Sequence, residues 1–340
     1  MVVEDLPDLA PGPGQVLVEP IACGICGSDL HTVSHAHDLV ASARAARANE
    51  PEGQTFASGF DPDRDVVMGH EVSCRVLEVG SGVEGIAIDD TYAAMPFLMT
   101  PTRRAVPGYD NEYPGGYSNQ MLLSPEALVA IPNGLDPTIA ALTEPMAVGL
   151  HAVNESAIEP GRIALVVGAG PVGLAIIASL AASGIEAIIA SDFSPTRRRV
   201  AEQMGATQVI DPANASLIDA WRAAGDGVTP PVIFEAVGVP GMIDQLMADA
   251  PDRSQILVAG VCIPPDNFRP SIGIYKHLSL QFVLGWSPEE FGQSLHSLAE
   301  GHIDGATLIT GEVGIDGVPQ AFVDLGDPEQ HVKIVVKPEL

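Results

Sequence analysis

The feature that most constrains the fold of this chain is a glycine motif, GAGPVG, at residues 168–173. A GxGxxG pattern is weak by itself in a chain with 35 glycines. Here the run before it, IALVV, is typical of a buried strand, and the run after it is typical of a helix. In that context the glycines permit a tight turn, close approach of the backbone to a pyrophosphate, and close packing of helix on strand. The motif therefore predicts cofactor contacts from Gly168, Gly170, Pro171, Val172 and Gly173.

An acidic residue, Asp192, follows Gly173 by 19 positions and stands at the end of the next predicted strand. A carboxylate there accepts hydrogen bonds from the ribose hydroxyls and repels a 2′-phosphate, so it favours NAD over NADP. Arg197 and the two arginines after it keep NADP open as an alternative, because one of them can meet a 2′-phosphate. The competing interpretation of these arginines is a solvated helix face.

Residues 147–286 alternate between strand-like and helix-like runs. The predicted strands are 163–167, 187–191, 209–210, 232–235 and 256–261, and the helices between them include 171–183 and 195–204. Such alternation is typical of a parallel sheet with right-handed crossovers. The apolar stretch 163–190 is long enough to span a membrane, but its glycines divide it into strand, turn and helix, so we do not expect a span.

The sequences on either side of this region do not show the same alternation of strand-like and helix-like runs. Residues 1–146 carry short β-branched runs separated by turns, as at 15–19, 72–79 and 128–131, which predicts an antiparallel β domain. Residues 287–340 contain one amphipathic helix, 288–300, and end in the strand-like VKIVVKP. Because this third part is too short to form its own domain, we expect it to pack back on the first.

Charge and cysteine content exclude several classes of function. The chain has 16 Lys+Arg against 44 Asp+Glu, a net charge of −28, which argues against nucleic acid and anionic membranes as partners. Four cysteines in 340 residues are too few for a disulfide scaffold and fit a reducing compartment. With no secretory signal visible at the N-terminus, we expect a cytoplasmic protein.

The highest concentration of possible metal-binding and catalytic side chains lies in the segment ACGICGSDLH, residues 22–31. A Cys-x-x-Cys pair fits a redox dithiol, a structural zinc site or a single thiolate ligand, and a structural zinc would need two more ligands at short spacing. Downstream stand GHE at 69–71 and TEP at 143–145. A thiolate, an imidazole and a carboxylate together can form a catalytic zinc site that leaves one position open for substrate.

These motifs, in this order and with the GxGxxG-plus-Asp pattern, resemble the zinc-dependent medium-chain dehydrogenase/reductase family, in particular its sorbitol- and threonine-dehydrogenase-like branches. The resemblance covers nearly the whole chain. It implies an α/β protein with a GroES-like β-rich catalytic domain, residues 1–146 and 287–340, and a Rossmann domain with a doubly wound parallel sheet, residues 147–286. It also implies a homodimer or homotetramer.

The resemblance further implies roles for individual residues. Cys26 and His70 are expected to bind zinc, with Glu71 or Glu144 as the carboxylate ligand, and Glu71 is also a candidate catalytic residue. The remaining assignments are Ser28 for the hydroxyl that bonds the alcohol, His31 for proton transfer to solvent, Asp29 for orienting His70, and Lys333 for the cofactor's pyrophosphate.

Three departures from the family pattern stand out. The stretch 90–115 lacks the cysteines that hold a second, structural zinc in many members, so we predict one zinc ion. The usual first strand is missing, so we expect a truncated N-terminus. The segment 32–69 is unusually long, and its helix-forming piece 41–49 is expected to be a lid over the substrate entrance or a subunit contact.

The resulting expectation is hydride transfer between an alcohol, preferably a secondary alcohol or polyol, and NAD, giving a ketone or aldehyde. The partner is therefore a small-molecule alcohol or carbonyl compound. A metal-free NAD(P)H reductase of the same superfamily and a non-catalytic nucleotide-binding sensor remain alternatives.

Overall fold

A computed structural model describes residues 1–48 and 59–340 of the chain. The chain divides into two compact units, one formed by Met1–Glu144 and Ile309–Leu340, the other by Pro145–Leu308. None of the helices in these described ranges is both long and apolar enough to cross a membrane.

The elements follow one another in an order that changes from β-rich to alternating and back. The strands are β1 Val16–Gly24, β2 Glu71–Val79, β3 Thr91–Ala94, β4 Leu98–Met99, β5 Arg104–Ala105, β6 Met121–Leu123, β7 Leu128–Ala130, β8 Ile163–Val167, β9 Ala187–Ser191, β10 Gln208–Ile210, β11 Val232–Glu235, β12 Gln255–Val258, β13 Ser279–Phe282, β14 Ile309–Val313 and β15 Lys333–Val336. The helices are α1 Gly27–Ala46, α2 Pro137–Ala140, α3 Thr143–Asn154, α4 Pro171–Ala182, α5 Pro195–Gln203, α6 Leu217–Ala224, α7 Met242–Asp249, α8 Pro270–Lys276, α9 Pro288–Ala299 and α10 Val318–Asp324, and short 3₁₀ turns occur at Pro125–Ala127, Gly305–Leu308 and Ile315–Gly317.

The first unit is built on a mainly antiparallel sheet in the order β14-β15-β1-β2-β3-β7, with β6 also paired to β1. β1 is its central strand and pairs antiparallel with β2, β6 and β15. The C-terminal strand β15 thus returns to the first part of the chain, as the sequence predicts. A separate pair, β4 and β5, carries the loop that lacks cysteines.

The second unit is a six-stranded parallel sheet in the order β10-β9-β8-β11-β12-β13. The chain starts in the middle at β8, moves to one edge, and then crosses to the other side of β8. This is the doubly wound order, in which ligands bind where the strand order reverses, here between β8 and β11. Buried apolar residues from the strands and from α6 and α7 form a core of this unit, which confirms the predicted Rossmann architecture.

Two boundaries differ from the sequence-based expectation. The segment 287–308 belongs to the second unit, because α9 buries Phe291, Leu295 and Leu298 and its Glu290 accepts a hydrogen bond from Asn154 of α3. The helix-forming piece of the long segment continues α1 to Ala46, past a non-helical residue at His35. Arg47 and Ala48 form a turn after this helix, and Asn49, the last residue of the predicted piece, lies outside the described residues. The lid and the subunit contact both stay predictions.

Candidate metal centre and dinucleotide site

The metal-binding motifs meet because two adjacent strands place their ends together. β1 ends at Gly24, and Cys26 is the residue that caps the start of α1. β2 begins at Glu71, and the strand register pairs Glu71 with Gly24. The residues around Gly24 and Glu71 are therefore neighbours although 47 positions separate them in the sequence. The pairing brings the thiol of Cys26 and the ring of His70 to the same corner of the sheet.

Cys26, His70 and Glu71 form a compact donor set. Their ligand atoms all lie within 4.8 Å of one another, and within residues 1–48 and 59–340 this is the one group of its kind. Cys26 is half-buried, whereas His70 and Glu71 are buried. Sulfur, nitrogen and oxygen donors at this spacing fit a zinc ion with one position left open.

His70 is oriented by Asp29, as the sequence predicts. Nδ1 of His70 lies 3.3 Å from Oδ1 of Asp29, which leaves Nε2 as the ring nitrogen for a metal. The other carboxylate oxygen of Asp29 accepts hydrogen bonds from the hydroxyl of Tyr117 at 2.6 Å and from the backbone N–H of Cys26 at 3.0 Å. Burial alone would raise the pKa of Asp29, but His70 and these donors hold it below its ordinary value.

Glu71 is bound to Lys333, a contact that the sequence analysis did not anticipate. Nζ of Lys333 donates to Oε1 of Glu71 at 2.6 Å, and both side chains are essentially inaccessible to solvent, at 2 % and 0 % exposure. Burial would lower the pKa of the Lys333 ammonium, but the carboxylate of Glu71 raises it above its ordinary value. The expected contact of Lys333 with the cofactor's pyrophosphate stays a prediction, and in this structure the ammonium of Lys333 is bonded to Glu71.

Glu144 lies outside the compact donor set, although it is buried, with 8 % exposure, and acts electrostatically on Lys333. Of the two candidate carboxylate ligands, the geometry favours Glu71.

Ser28 and His31 lie in the first turns of α1, directly after Cys26. Ser28 is half-buried and its Oγ accepts a hydrogen bond from the hydroxyl of Tyr109 at 2.7 Å. His31 is also half-buried; burial, with a smaller contribution from His35, lowers the pKa of its imidazole. A histidine with a lowered pKa is neutral at physiological pH and can accept a proton.

The loop that lacks cysteines is held by an ion pair. Arg103 donates to both carboxylate oxygens of Asp110, which is 1 % exposed, and also contacts Glu112. The neighbouring Asn111 donates to the backbone carbonyls of Asp61, Arg64 and Asp65. Ionic and amide contacts therefore hold this loop in place.

The glycine motif has the geometry that the sequence predicts for a dinucleotide site. Gly168 has φ of +92°, and a Cβ on Gly173 would lie 1.9 Å from the carbonyl oxygen of Gly168, so both positions require glycine. Gly170 caps α4, while Pro171 begins this helix and Val172 follows. The backbone N–H groups at this helix start are suited to a phosphate.

Asp192 and Arg197 stand together beside this motif. Oδ2 of Asp192 accepts from the backbone N–H of Ala169 at 2.8 Å, which fixes the carboxylate at the turn. Nη1 of Arg197 lies 3.9 Å from the same oxygen, and its Nε is buried without a hydrogen-bond partner among the residues that the structure describes. Asp192 and Arg197, the residues considered for contact with the ribose hydroxyls or a 2′-phosphate, therefore both lie beside the glycine motif.

Sequence reasoning missed Tyr109 and Tyr117, which contact Ser28 and Asp29. Both tyrosines come from a turn-rich stretch without a recognised motif. The glycines that precede the two tyrosines were the available sequence signal for a tightly packed loop. Gly108, Gly115 and Gly116 all pack without room for a side chain.

Comparison with known proteins agrees with both units. Residues 12–133 match the alcohol dehydrogenase GroES-like domain, and residues 171–300 match the zinc-binding dehydrogenase domain. The chain belongs to the zinc-dependent medium-chain dehydrogenase/reductase family. Its first unit is thus the GroES-like domain of this family, and its second unit is the Rossmann domain.

Several relatives resemble the chain over nearly its full length. It is 29 % identical to (R,R)-butanediol dehydrogenase of Bacillus subtilis (strain 168), with 99 % of this chain and 96 % of the relative covered. The crystal structure of 2R,3R-butanediol dehydrogenase from Bacillus subtilis superimposes with a TM-score of 0.81 at 27 % identity, covering 98 % and 95 % of the two chains. A Sinorhizobium meliloti 1021 structure described as a zinc-binding dehydrogenase bound to NADP has a TM-score of 0.78 at 25 % identity, with coverage of 97 % and 94 %.

Proposed function

We propose that this protein is a zinc-dependent dehydrogenase that transfers a hydride between a secondary alcohol or polyol and NAD, giving the ketone or aldehyde. The observation that carries the proposal is the meeting of Cys26, His70 and Glu71 at the start of α1, the helix that carries Ser28. Relatives named butanediol, sorbitol and D-xylulose enzymes support the substrate class.

Cys26, His70 and Glu71 would hold the zinc, and Asp29 would keep the His70 ring in place. A zinc ion bound there would act as a Lewis acid that lowers the pKa of the substrate hydroxyl. We propose one zinc per chain, because the loop 103–113 is fixed by Arg103 and Asp110 and has no thiol ligands.

Ser28 and His31 would carry the proton. Oγ of Ser28 accepts the proton of the substrate hydroxyl while it passes its own hydrogen on, and the neutral imidazole of His31 is the base that receives it on the way to solvent. This chemistry distinguishes a dehydrogenase from a nucleotide-binding sensor, which needs no proton path.

NAD preference would come from Asp192, whose position at the turn lets it bind the ribose hydroxyls and repel a 2′-phosphate. The nearby Arg197 supports NADP use as the alternative, and one relative is bound to NADP. We expect the wild type to have the higher kcat/KM with NAD, and Asp192→Ala to reduce the ratio of NAD to NADP activity. A wild-type preference for NADP, or an unchanged ratio in Asp192→Ala, would refute this assignment.

We propose that the protein is a homo-oligomer that pairs through β13, the edge strand of the parallel sheet. The segment 277–287 contains no Asp, Glu, Lys or Arg, and Phe282 and Leu284 are 63 % and 83 % exposed. An uncharged edge strand that ends in exposed apolar side chains, Phe282 in the strand and Leu284 just after it, is suited to pairing with a second copy. Light scattering should show Leu284→Lys converting a dimer or tetramer to smaller species, while Ile88→Lys, an exposed apolar position in the other unit, leaves the mass unchanged. A monomeric wild type would exclude the proposal.

The test of the activity is a panel of secondary alcohols and polyols with NAD, followed by NADH absorbance. We expect oxidation by the zinc-loaded protein and at least a hundredfold loss in Cys26→Ala, in proportion to lost zinc. Full activity in Cys26→Ala would favour a metal-free reductase, and absence of turnover with every alcohol and carbonyl compound would favour the sensor.

A further inference from the structure

Tyr109 contacts two members of the proposed active site at once. Its hydroxyl donates to Oγ of Ser28 at 2.7 Å, and its ring centroid lies 5.0 Å from that of His70 at an angle of 43°. Tyr109 is 6 % exposed although it comes from a loop. A tyrosine buried at this place brings a polar group and an apolar ring to the site together.

The backbone on both sides of Tyr109 fixes where its hydroxyl lies. Gly108 has φ of +94°, and a Cβ there would lie 2.6 Å from the carbonyl oxygen of Gly69, so this side of the loop rests directly on the backbone next to His70. On the other side, Asp110 is held by both terminal nitrogens of Arg103. The contact with Ser28 is therefore built into the loop.

This contact limits what the Ser28 hydroxyl can do. A serine hydroxyl has one hydrogen and two acceptor positions. The hydroxyl of Tyr109 is the donor in the 2.7 Å hydrogen bond to Oγ of Ser28. Tyr109 therefore occupies one acceptor position of Ser28, which leaves one acceptor position for a substrate hydroxyl and turns the hydrogen of Ser28 toward a different acceptor.

We propose that Tyr109 is a positioning residue that orders the Ser28 hydroxyl for proton transfer. The inference rests on the proposed function, since it assigns Ser28 to the proton path. With Tyr109 in place, Ser28 receives a proton at one defined lone pair and releases its own hydrogen in one defined direction. Without the phenol, the hydroxyl samples other rotamers and the proton transfer slows.

The test compares Tyr109→Phe with Tyr113→Phe, a matched loss of a phenol hydroxyl in the same loop. Tyr109→Phe keeps the ring against His70 and removes the hydrogen bond to Ser28, so we expect kcat for alcohol oxidation to fall roughly 5- to 30-fold with little change in KM. The solvent isotope effect on kcat should rise, because proton transfer becomes slower. Zinc content and thermal midpoint should stay those of the wild type, and Tyr113→Phe should match the wild type throughout.

A double-mutant cycle shows whether Tyr109 acts through Ser28. In a Ser28→Ala background, Tyr109→Phe should cause no further loss of kcat, because the contact is already gone. Independent, additive losses would overturn the inference, as would a kcat within twofold of the wild type. A loss confined to vicinal diols, with monoalcohols unaffected, would also overturn it, because Tyr109 would then recognise a second substrate oxygen. A wild type that oxidises no alcohol would refute the proposed function and the inference together. If the wild type is active, the proposed function stands, and the Tyr109 variants then test the inference alone.

Discussion

Replacement of Lys333 by Met should destabilise the zinc-free first unit far more than an ordinary charge removal. Lys333 and Glu71 are 2 % and 0 % exposed, so the substitution leaves a carboxylate buried without its cation. Removing one partner of a buried ion pair costs about 3–5 kcal/mol. The matched control is Lys337→Met, whose ion pair with Glu312 is 26 % and 42 % exposed and is worth about 0–1 kcal/mol.

The assay must report on the first unit. The only two tryptophans of the chain, Trp221 and Trp286, both belong to the second unit, so tryptophan fluorescence would follow the wrong part. Hydrogen exchange of peptides covering β1 and β15 measures the loss locally. A cost of about 3–5 kcal/mol corresponds to roughly two to three and a half orders of magnitude in the opening equilibrium.

Zinc changes the expected size of this effect. A bound zinc ion would neutralise Glu71 in place of the ammonium, so the cost of Lys333→Met should shrink in the zinc-loaded protein and zinc should bind more tightly than to the wild type. The double variant Lys333→Met with Glu71→Gln should recover much of the zinc-free stability, because neither charge remains. Equal exchange in Lys333→Met and Lys337→Met would refute the reasoning.

Three further predictions follow from other parts of the structure. His31→Ala should slow alcohol oxidation most at low pH, with partial rescue by buffer bases. Because the pKa of His31 is lowered by burial, the wild-type rate should begin to fall only below about pH 6.5. The same fall of rate at low pH in the variant would contradict proton transfer through His31. Arg103→Met should cost about 3 kcal/mol in urea unfolding by leaving the buried carboxylate of Asp110 without its cation, whereas the exposed Arg104→Met should cost less than about 1 kcal/mol. Equal costs would contradict the role of the ion pair. Gly173→Ala should abolish NAD binding measured by calorimetry, because its Cβ would lie 1.9 Å from a backbone carbonyl oxygen, and unchanged affinity would show that the motif tolerates a shift.

Much of the second unit was predictable from local sequence. The predicted strands 163–167, 187–191 and 232–235 coincide with β8, β9 and β11, because a parallel sheet covered on both faces requires continuous apolar runs. Helices α4, α5 and α9 begin at the predicted prolines, since a missing N–H costs nothing in the first turn.

The remaining features depend on contacts that no local pattern encodes. The role of Lys333 follows from the register that pairs Gly24 with both Glu71 and Val335, two partners that are distant in sequence. The amphipathic pattern of α9 shows that one face is buried but not which unit covers it. Tyr109 reaches Ser28 only through a loop whose path is set by Gly108 and the Arg103–Asp110 pair.

The zinc content of the purified protein tests the proposed metal centre most directly, measured by inductively coupled plasma mass spectrometry in the wild type and in Cys26→Ala. We expect one zinc per chain in the wild type and a loss of nearly all zinc in the variant, with both proteins folded by circular dichroism. Two zinc ions per wild-type chain, or full zinc occupancy in Cys26→Ala, would contradict it.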